Sequence, residues 1–178
     1  MKIQVSLIPE EGQQIQHALD GDWYREYLPK GGGIDFRIHP ASVALTIHKV
    51  LETVTLDISV ETALGLDCGR CLEPFTLPVQ SVFRHTLVPA RDEEAQAADL
   101  ADEDISFAYY QDDLIDLDAL VYEQIMLQLP MKPLCAEACR GLCAQCGANL
   151  NAAPCECRPG DVDSRLEALK KLKIRKQN

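Results

Sequence analysis

The residues of this chain best suited to chemistry are eight cysteines in four close pairs: Cys68/Cys71, Cys135/Cys139, Cys143/Cys146 and Cys155/Cys157. Short spacings let two thiolates from one turn reach a single ion, and two such turns complete a tetrahedral zinc site. Eight thiols therefore suffice for one or two closed, structural sites. The strongest segment is Cys143-Ala144-Gln145-Cys146-Gly147, where the glycine after the second cysteine permits the positive φ of a metal-wrapping turn. Cys135/Cys139 has three intervening residues and Cys155/Cys157 has one, so each is a weaker signal alone.

A disulfide framework is the competing explanation for so many cysteines. Such scaffolds are usually secreted, short and without a core that folds unaided. Here the opening residues Met1-Lys2-Ile3-Gln4-Val5-Ser6 read as a strand, with no apolar stretch of signal-peptide length, and 178 residues can bury a substantial core. No run of about 18 apolar residues is present, which argues against a membrane span. The expected setting is the reducing cytoplasm, where clustered thiols bind metal.

Two groupings of the pairs are open. In the preferred one, Cys143/Cys146 and Cys155/Cys157 close a compact site, while Cys135/Cys139 meets Cys68/Cys71. In the other, the last six cysteines interleave and leave Cys68/Cys71 as a dithiol. A free CxxC raises redox chemistry, and Arg70 within Cys68-Gly69-Arg70-Cys71 would favour a thiolate. The motif, however, follows a strand and precedes Pro74 and another strand, so it lacks the helix N-terminus that activates a thioredoxin-like pair. Other catalytic patterns are thin. His17, His39, His48 and His85 have no metal-type spacing, and only His85, near the hairpin, is worth following. There is no P-loop, GxSxG or GxGxxG. Trp23, Tyr24 and Tyr27 read as a recognition patch or, more commonly for such a group, as packing at the edge of the core.

The elements that must position the cysteines are mostly strands. Ile3, Val5 and Leu7 alternate with polar residues, as do Ile34, Phe36 and Ile38 after the Pro29-Lys30-Gly31-Gly32-Gly33 breaker, and then Val43, Leu45 and Ile47. The clearest alternation is Val54, Leu56, Ile58 and Val60 against Thr55, Asp57 and Ser59, the period of a sheet with one wet face. Its phase runs through Thr62, Leu64 and Leu66 to Cys68, which places Cys68 at the strand's end on the apolar side. A turn to Pro74 and a returning strand through Phe75, Leu77 and Val79 put the first CxxC at the tip of a long antiparallel hairpin. The run from Val82 to Val88 changes phase, which predicts a bulge near Ser81. A helix is expected over 112–129, with Asp116 as N-cap, Leu117, Val121 and Ile125 on one face and Pro130 as the stop. Residues 135–157 hold little to pack beyond Leu142 and Leu150, so a metal must offset their ordering entropy. Ser164-x-x-Glu167 is a capping box opening a short terminal helix that presents Leu166, Leu169 and Leu172.

The net charge is −11, a field that repels phosphates. Between Asp92 and Glu123 there are twelve acidic residues and no Lys or Arg, and the stretch near 91–104 reads as an acidic loop. The last 21 residues reverse the sign, with seven Lys or Arg against three Asp or Glu. A basic tail beside a cysteine cluster could touch RNA while the acidic body faces a basic protein.

Several separated segments, in order, resemble the YceD family of large-subunit ribosomal RNA accumulation proteins. They are Cys68-Gly69-Arg70-Cys71-Leu72-Glu73-Pro74-Phe75, Leu114-Ile115-Asp116-Leu117, and Leu129-Pro130-Met131-Lys132-Pro133-Leu134-Cys135. The stretch Cys139-Arg140-Gly141-Leu142-Cys143 through Asn151, with Cys155-Glu156-Cys157, is similar to that family's cysteine-rich branch. The resemblance spans roughly residues 40–175. It implies a non-enzymatic factor for large-subunit (23S-type) ribosomal RNA accumulation, acting in bacteria and plastids. It also implies that a site joining Cys68/Cys71 to Cys135/Cys139 is the older of two. No catalytic residue comes with these motifs.

The expected fold is α+β: an antiparallel sheet with long hairpin strands, one packed helix and a small cysteine-rich zinc-binding lobe. Residues 1–134 form the core domain, and 135–178 form the lobe and a short basic helix packed on it. Expected partners are ribosomal RNA or basic ribosomal and assembly proteins of the large subunit, with no membrane and no small-molecule substrate. The alternatives are a thiol redox enzyme or sensor using Cys68/Cys71, or a zinc-ribbon adaptor for another complex.

Overall fold

The computed structural model describes residues 1–28, 36–90 and 108–157. The acidic loop near 91–104 and the terminal helix with its basic charges lie outside the described residues. The chain is α+β. Its strands are β1 (Lys2–Gln4), β2 (Gln13–Leu19), β3 (Phe36–Ile38), β4 (Ala41–Val50), β5 (Thr53–Asp67), β6 (Pro74–Pro89), β7 (Ala108–Tyr110) and β8 (Leu114–Asp116), and its described helix is α1 (Leu117–Leu127). The main sheet runs β2-β4-β5-β6-β7, with β3 also on β5, and β1 pairs with β8 in a separate ribbon. All pairs are antiparallel except β6 with β7, so the sheet is mixed at that edge.

The period-2 pattern decides the inner face. Val43, Leu45 and Ile47 on β4 and Val54, Leu56, Ile58 and Val60 on β5 are buried, as the alternation requires. α1 contributes Leu117, Val121 and Ile125 to the same core, all fully buried. Each such aliphatic side chain stabilises the fold by about 1.5–3 kcal/mol through burial. The helix is shorter than the expected 112–129. Asp116 is the N-cap, its carboxylate accepting from the Ala119 amide at 3.3 Å, but Leu114–Asp116 before it pairs with β1. Asp112 and Asp113 both take positive φ (53° and 61°) in the tight turn closed by the Leu114 amide donating to the Gln111 carbonyl. That is a type I′ turn built from aspartates, which tolerate the left-handed region better than most residues.

Three further expectations need correction. The strand read through Leu7 ends at Gln4. A 3-10 turn over Val5–Leu7 follows, the Lys49 ammonium donates to the Val5 carbonyl at 2.8 Å, and Leu7 is left exposed. No bulge interrupts β6 at Ser81, because β5 and β6 keep one register from Val54↔Leu87 to Asp67↔Pro74. Phe83 and Leu87 hold the inward phase, and Val82 is simply an exposed apolar residue. A bulge occurs instead between β3 and β4, where His39, Pro40 and Ala41 face only Thr62 and Ala63. The Thr62 hydroxyl donates to the His39 carbonyl at 2.9 Å and is 3.2 Å from that of Pro40, closing the gap that the extra residue opens. Strand β2 had no clear alternation and was not expected. The Trp23–Tyr27 turn is packing: Tyr24 is buried and stacks on Phe36, and Tyr27 stacks on Tyr122 of α1.

Candidate metal centres

Because β5 keeps its phase to its end, Cys68 emerges on the buried side at the hairpin tip. The turn is closed by the Cys68 amide donating to the Glu73 carbonyl and the Leu72 amide to the Cys68 carbonyl, with Leu72 at φ 60°. The segment after α1 returns to this tip. The Gly69 amide donates to the Pro133 carbonyl at 2.8 Å, which draws Leu134 and Cys135 alongside.

Two clusters of four sulfurs result. Cys68, Cys71, Cys135 and Cys139 lie with all sulfurs within 4.8 Å of one another, and so do Cys143, Cys146, Cys155 and Cys157. This is the preferred grouping of the pairs; Cys68/Cys71 is not a separate dithiol. All eight cysteines are free of disulfides. The Cys68–Cys139 and Cys71–Cys135 sulfur separations are 3.8 and 3.7 Å. A tetrahedron with metal–sulfur bonds of about 2.3 Å has edges of about 3.8 Å, so the spacing fits one thiophilic ion. Each tetrad could hold a metal ion.

The two clusters differ in surroundings. In the first, Cys68, Cys71 and Cys139 are buried and pack with Phe75, Leu134 and Leu142. In the second, Cys146 and Cys157 are exposed. Backbone amides aim at the sulfurs in both. Amides of Cys135 and Cys71 lower the Cys68 thiol to about 6. Those of Cys146 and Gln145 do the same for Cys143, also to about 6. Crowding by the Cys139 sulfur and burial push Cys135 up to about 12, and the Cys146 sulfur does so for Cys157. Four thiols so close cannot all ionise without a cation, which is the electrostatic situation a bound metal relieves.

Residues around the sulfurs hold them in place. The Asn151 side-chain amide donates to the Cys139 sulfur at 3.3 Å, lowering that thiol, while its oxygen accepts from the Arg140 amide at 2.7 Å. Arg70 was expected to favour a thiolate by its charge. Its guanidinium instead donates to the carbonyls of Glu137 and Cys139 at 3.1 and 2.8 Å, clamping the Cys135–Cys139 segment to the hairpin tip. Gly141, at φ 73°, lets the chain pass the Arg70 carbonyl, where a Cβ would lie only 3.0 Å away. Gly147 takes the positive φ expected of it, 72°. The Asn149-Leu150-Asn151 run was the available signal for the asparagine contacts, since side-chain amides near cysteine turns orient ligands. None of the four histidines joins either cluster. His85 lies far along β6 from the tip, opposite Leu56, with its ring edge-on to Phe83.

Fold and site together define a sheet protein whose longest hairpin is tied at its tip to a cysteine-rich segment. The chain belongs to the YceD family: the family model described as large ribosomal RNA subunit accumulation protein YceD matches residues 56–173. It is 27% identical over 160 residues to the large ribosomal RNA subunit accumulation protein YCED homolog 1, chloroplastic, of Arabidopsis thaliana, covering 78% of this chain and 50% of that protein. It is 29% identical over 143 residues to YlbN of Bacillus subtilis, covering 76% of each. The chain thus spans about half the length of the plant relatives it matches. No solved structure matches it. Among the described residues no helix is long and apolar enough to cross a membrane.

Proposed function

We propose that this chain is a non-enzymatic, cytoplasmic factor supporting the accumulation of large-subunit ribosomal RNA, with one structural zinc ion in each cysteine tetrad. Cys68, Cys71, Cys135 and Cys139 would hold the first ion, and Cys143, Cys146, Cys155 and Cys157 the second. The observation that carries the metal reading is the pair of four-sulfur clusters, the first with two separations of tetrahedral edge length. Family membership carries the ribosomal reading. Four cysteine ligands leave no open position for a substrate, which favours a structural role over a catalytic one. The work of the first ion is to fix the hairpin tip against the segment after α1, with residues 135–178 forming a lobe on a core of 1–134. Ribosomal RNA or basic large-subunit proteins are the partners this role calls for.

Two measurements test the proposal. Purified under reducing conditions, the chain should carry about two zinc ions with all eight thiols shielded from a thiol reagent. One zinc with a reactive Cys68/Cys71 pair would favour thiol redox chemistry instead. A strain lacking the gene should show depleted large subunits in a sucrose gradient. Unchanged subunit levels would point to an adaptor role in another complex.

A further inference from the structure

Strand β2 (Gln13–Leu19) stands at one edge of the main sheet. β4 pairs with it on one side, from Gln13↔Ile47 to Leu19↔Ala41. In an antiparallel pair alternate residues turn their N–H and C=O toward the partner strand, and those between them turn outward. Among the described residues no strand pairs with the outer side of β2, and no other backbone hydrogen bond reaches Gln13–Leu19. Its outward amides and carbonyls therefore form an open template.

Sheet edges are normally blunted by shortness, proline or charge. β3 and β7 follow that rule with three residues each. β6, over the stretch that β7 does not cover, carries Pro74 and Pro78, which have no N–H to offer. β2 has seven residues, Gln-Gln-Ile-Gln-His-Ala-Leu, with no proline, glycine, lysine or carboxylate. Its faces are set by the register. Ile15, His17 and Leu19 lie opposite the buried Leu45, Val43 and Ala41 on the core side, whereas Gln14, Gln16 and Ala18 are exposed. Ile15 is only half-buried, so an apolar side chain on an added strand would complete its cover.

Charges lie just beyond the two ends. Glu10 and Glu11 precede the strand and Asp20 and Asp22 follow it, all exposed. Asp22 pairs with Arg25 at 3.0 Å, and the others have no ion pair among the described residues. At about 3.4 Å per residue, Glu11 and Asp20 stand about 30 Å apart. This frame selects the occupant. Carboxylates at both ends repel a phosphate backbone. A second copy, paired antiparallel about Gln16, would set Gly12 against Asp20 and Glu11 against Gly21, which brings like charges together. An extended segment with lysine or arginine at both ends meets opposite charge at each, in either strand direction. We propose that the open edge of β2 takes an extended basic segment of a partner protein as an added strand, main chain to main chain, with its terminal cations on Glu10, Glu11 and Asp20. The proposal rests on the large-subunit reading above, in which basic proteins are partners, and gives that reading a docking surface.

The test is fluorescence anisotropy of the full, zinc-loaded chain with a labelled peptide of alternating threonine and valine, matched to the seven residues of β2 and carrying a lysine pair at each end. It should bind, less tightly as salt rises, and hydrogen exchange should slow at Gln13–Leu19. N-methylation of alternate peptide amides should abolish binding in one phase and spare it in the other, because only one set faces β2. The variant Glu10→Lys/Glu11→Lys/Asp20→Lys should weaken binding by about tenfold or more. These side chains are exposed, so circular dichroism and the thiol count should not change. Absence of binding, equal binding by the variant, or no difference between the two methylated peptides would overturn the proposal. So would a single-stranded ribo-oligonucleotide that protects the same strand, or a dimer of the chain in sedimentation that the peptide disperses. Depleted large subunits in the deletion strain would still leave the broader function standing after any of these. Peptide binding with unchanged subunit levels would keep the docking edge and remove the ribosomal reading.

Discussion

Serine replacements at two exposed cysteines, one from each tetrad, separate what the two sites do for stability. Cys135 and Cys157 are both exposed, so neither substitution leaves a hole in the core. With zinc in each tetrad, Cys135→Ser opens, through release of the ion, a link between parts of the chain 64 positions apart (Cys71 to Cys135). Cys157→Ser opens one only nine positions apart, Cys146 to Cys155. The chain-entropy relation for a cross-link gives about 4.3 kcal/mol for the longer loop and about 2.6 kcal/mol for the shorter at 25 °C. For a chain of this size each kcal/mol shifts Tm by about 2–4 °C. Cys135→Ser should therefore lower Tm by about 10–15 °C, and Cys157→Ser by about 5–10 °C. Calorimetry of the two variants beside the parent, with zinc content measured on each sample, is the assay. Hydrogen exchange should show protection lost at the ends of β5 and β6 in the first variant alone. Equal shifts, or a larger one for Cys157→Ser, would refute the claim that the first site acts by closing the long loop.

Other outcomes follow from the packing. Asp116→Ala removes the cap on Ala119 and the acceptor of the Tyr27 hydroxyl at 3.2 Å, and should cost roughly 2–3 kcal/mol in urea denaturation; Asp116→Asn should recover most of it. Ile125→Ala, at a fully buried position, should cost about 2–5 kcal/mol, whereas Leu127→Ala, at an exposed one, should stay within about 0.5 kcal/mol. The side chains of Ser6 and Gln4 and the Ser6 amide hold the Asp113 carboxyl below its usual 3.8. Its folded-state pKa is depressed, so its contribution is present above 3.8 and is lost as pH falls through the folded value. Asp113→Asn, which suits the positive φ there, should flatten stability against pH below about pH 4. With a chelator present, Cys143, Cys146, Cys155 and Cys157 should react with a thiol reagent before the mostly buried first tetrad.

Local rules were enough to place Cys68 from sequence because they persist along β5. A strand alternates with period 2, so the phase set at Val54 carried unbroken to Cys68 and put its sulfur inside. Asp116 capped the helix and Leu117, Val121 and Ile125 faced the core for the same reason: short-range geometry fixes where a side chain points. Where a local pattern was ambiguous, the reading failed. The run from Val82 suggested a bulge, but pairing with β5 on one side held Phe83 and Leu87 inward against it. The bulge at His39 to Ala41 needed Thr62 from another strand to be seen. The sequence by itself determined that eight thiols lie in pairs, that one pair ends a strand and that little else orders residues 135–157. Only the tertiary structure decided which pairs meet. The Gly69–Pro133 hydrogen bond and the Arg70 clamp act between segments more than sixty residues apart, and no spacing rule reaches that far.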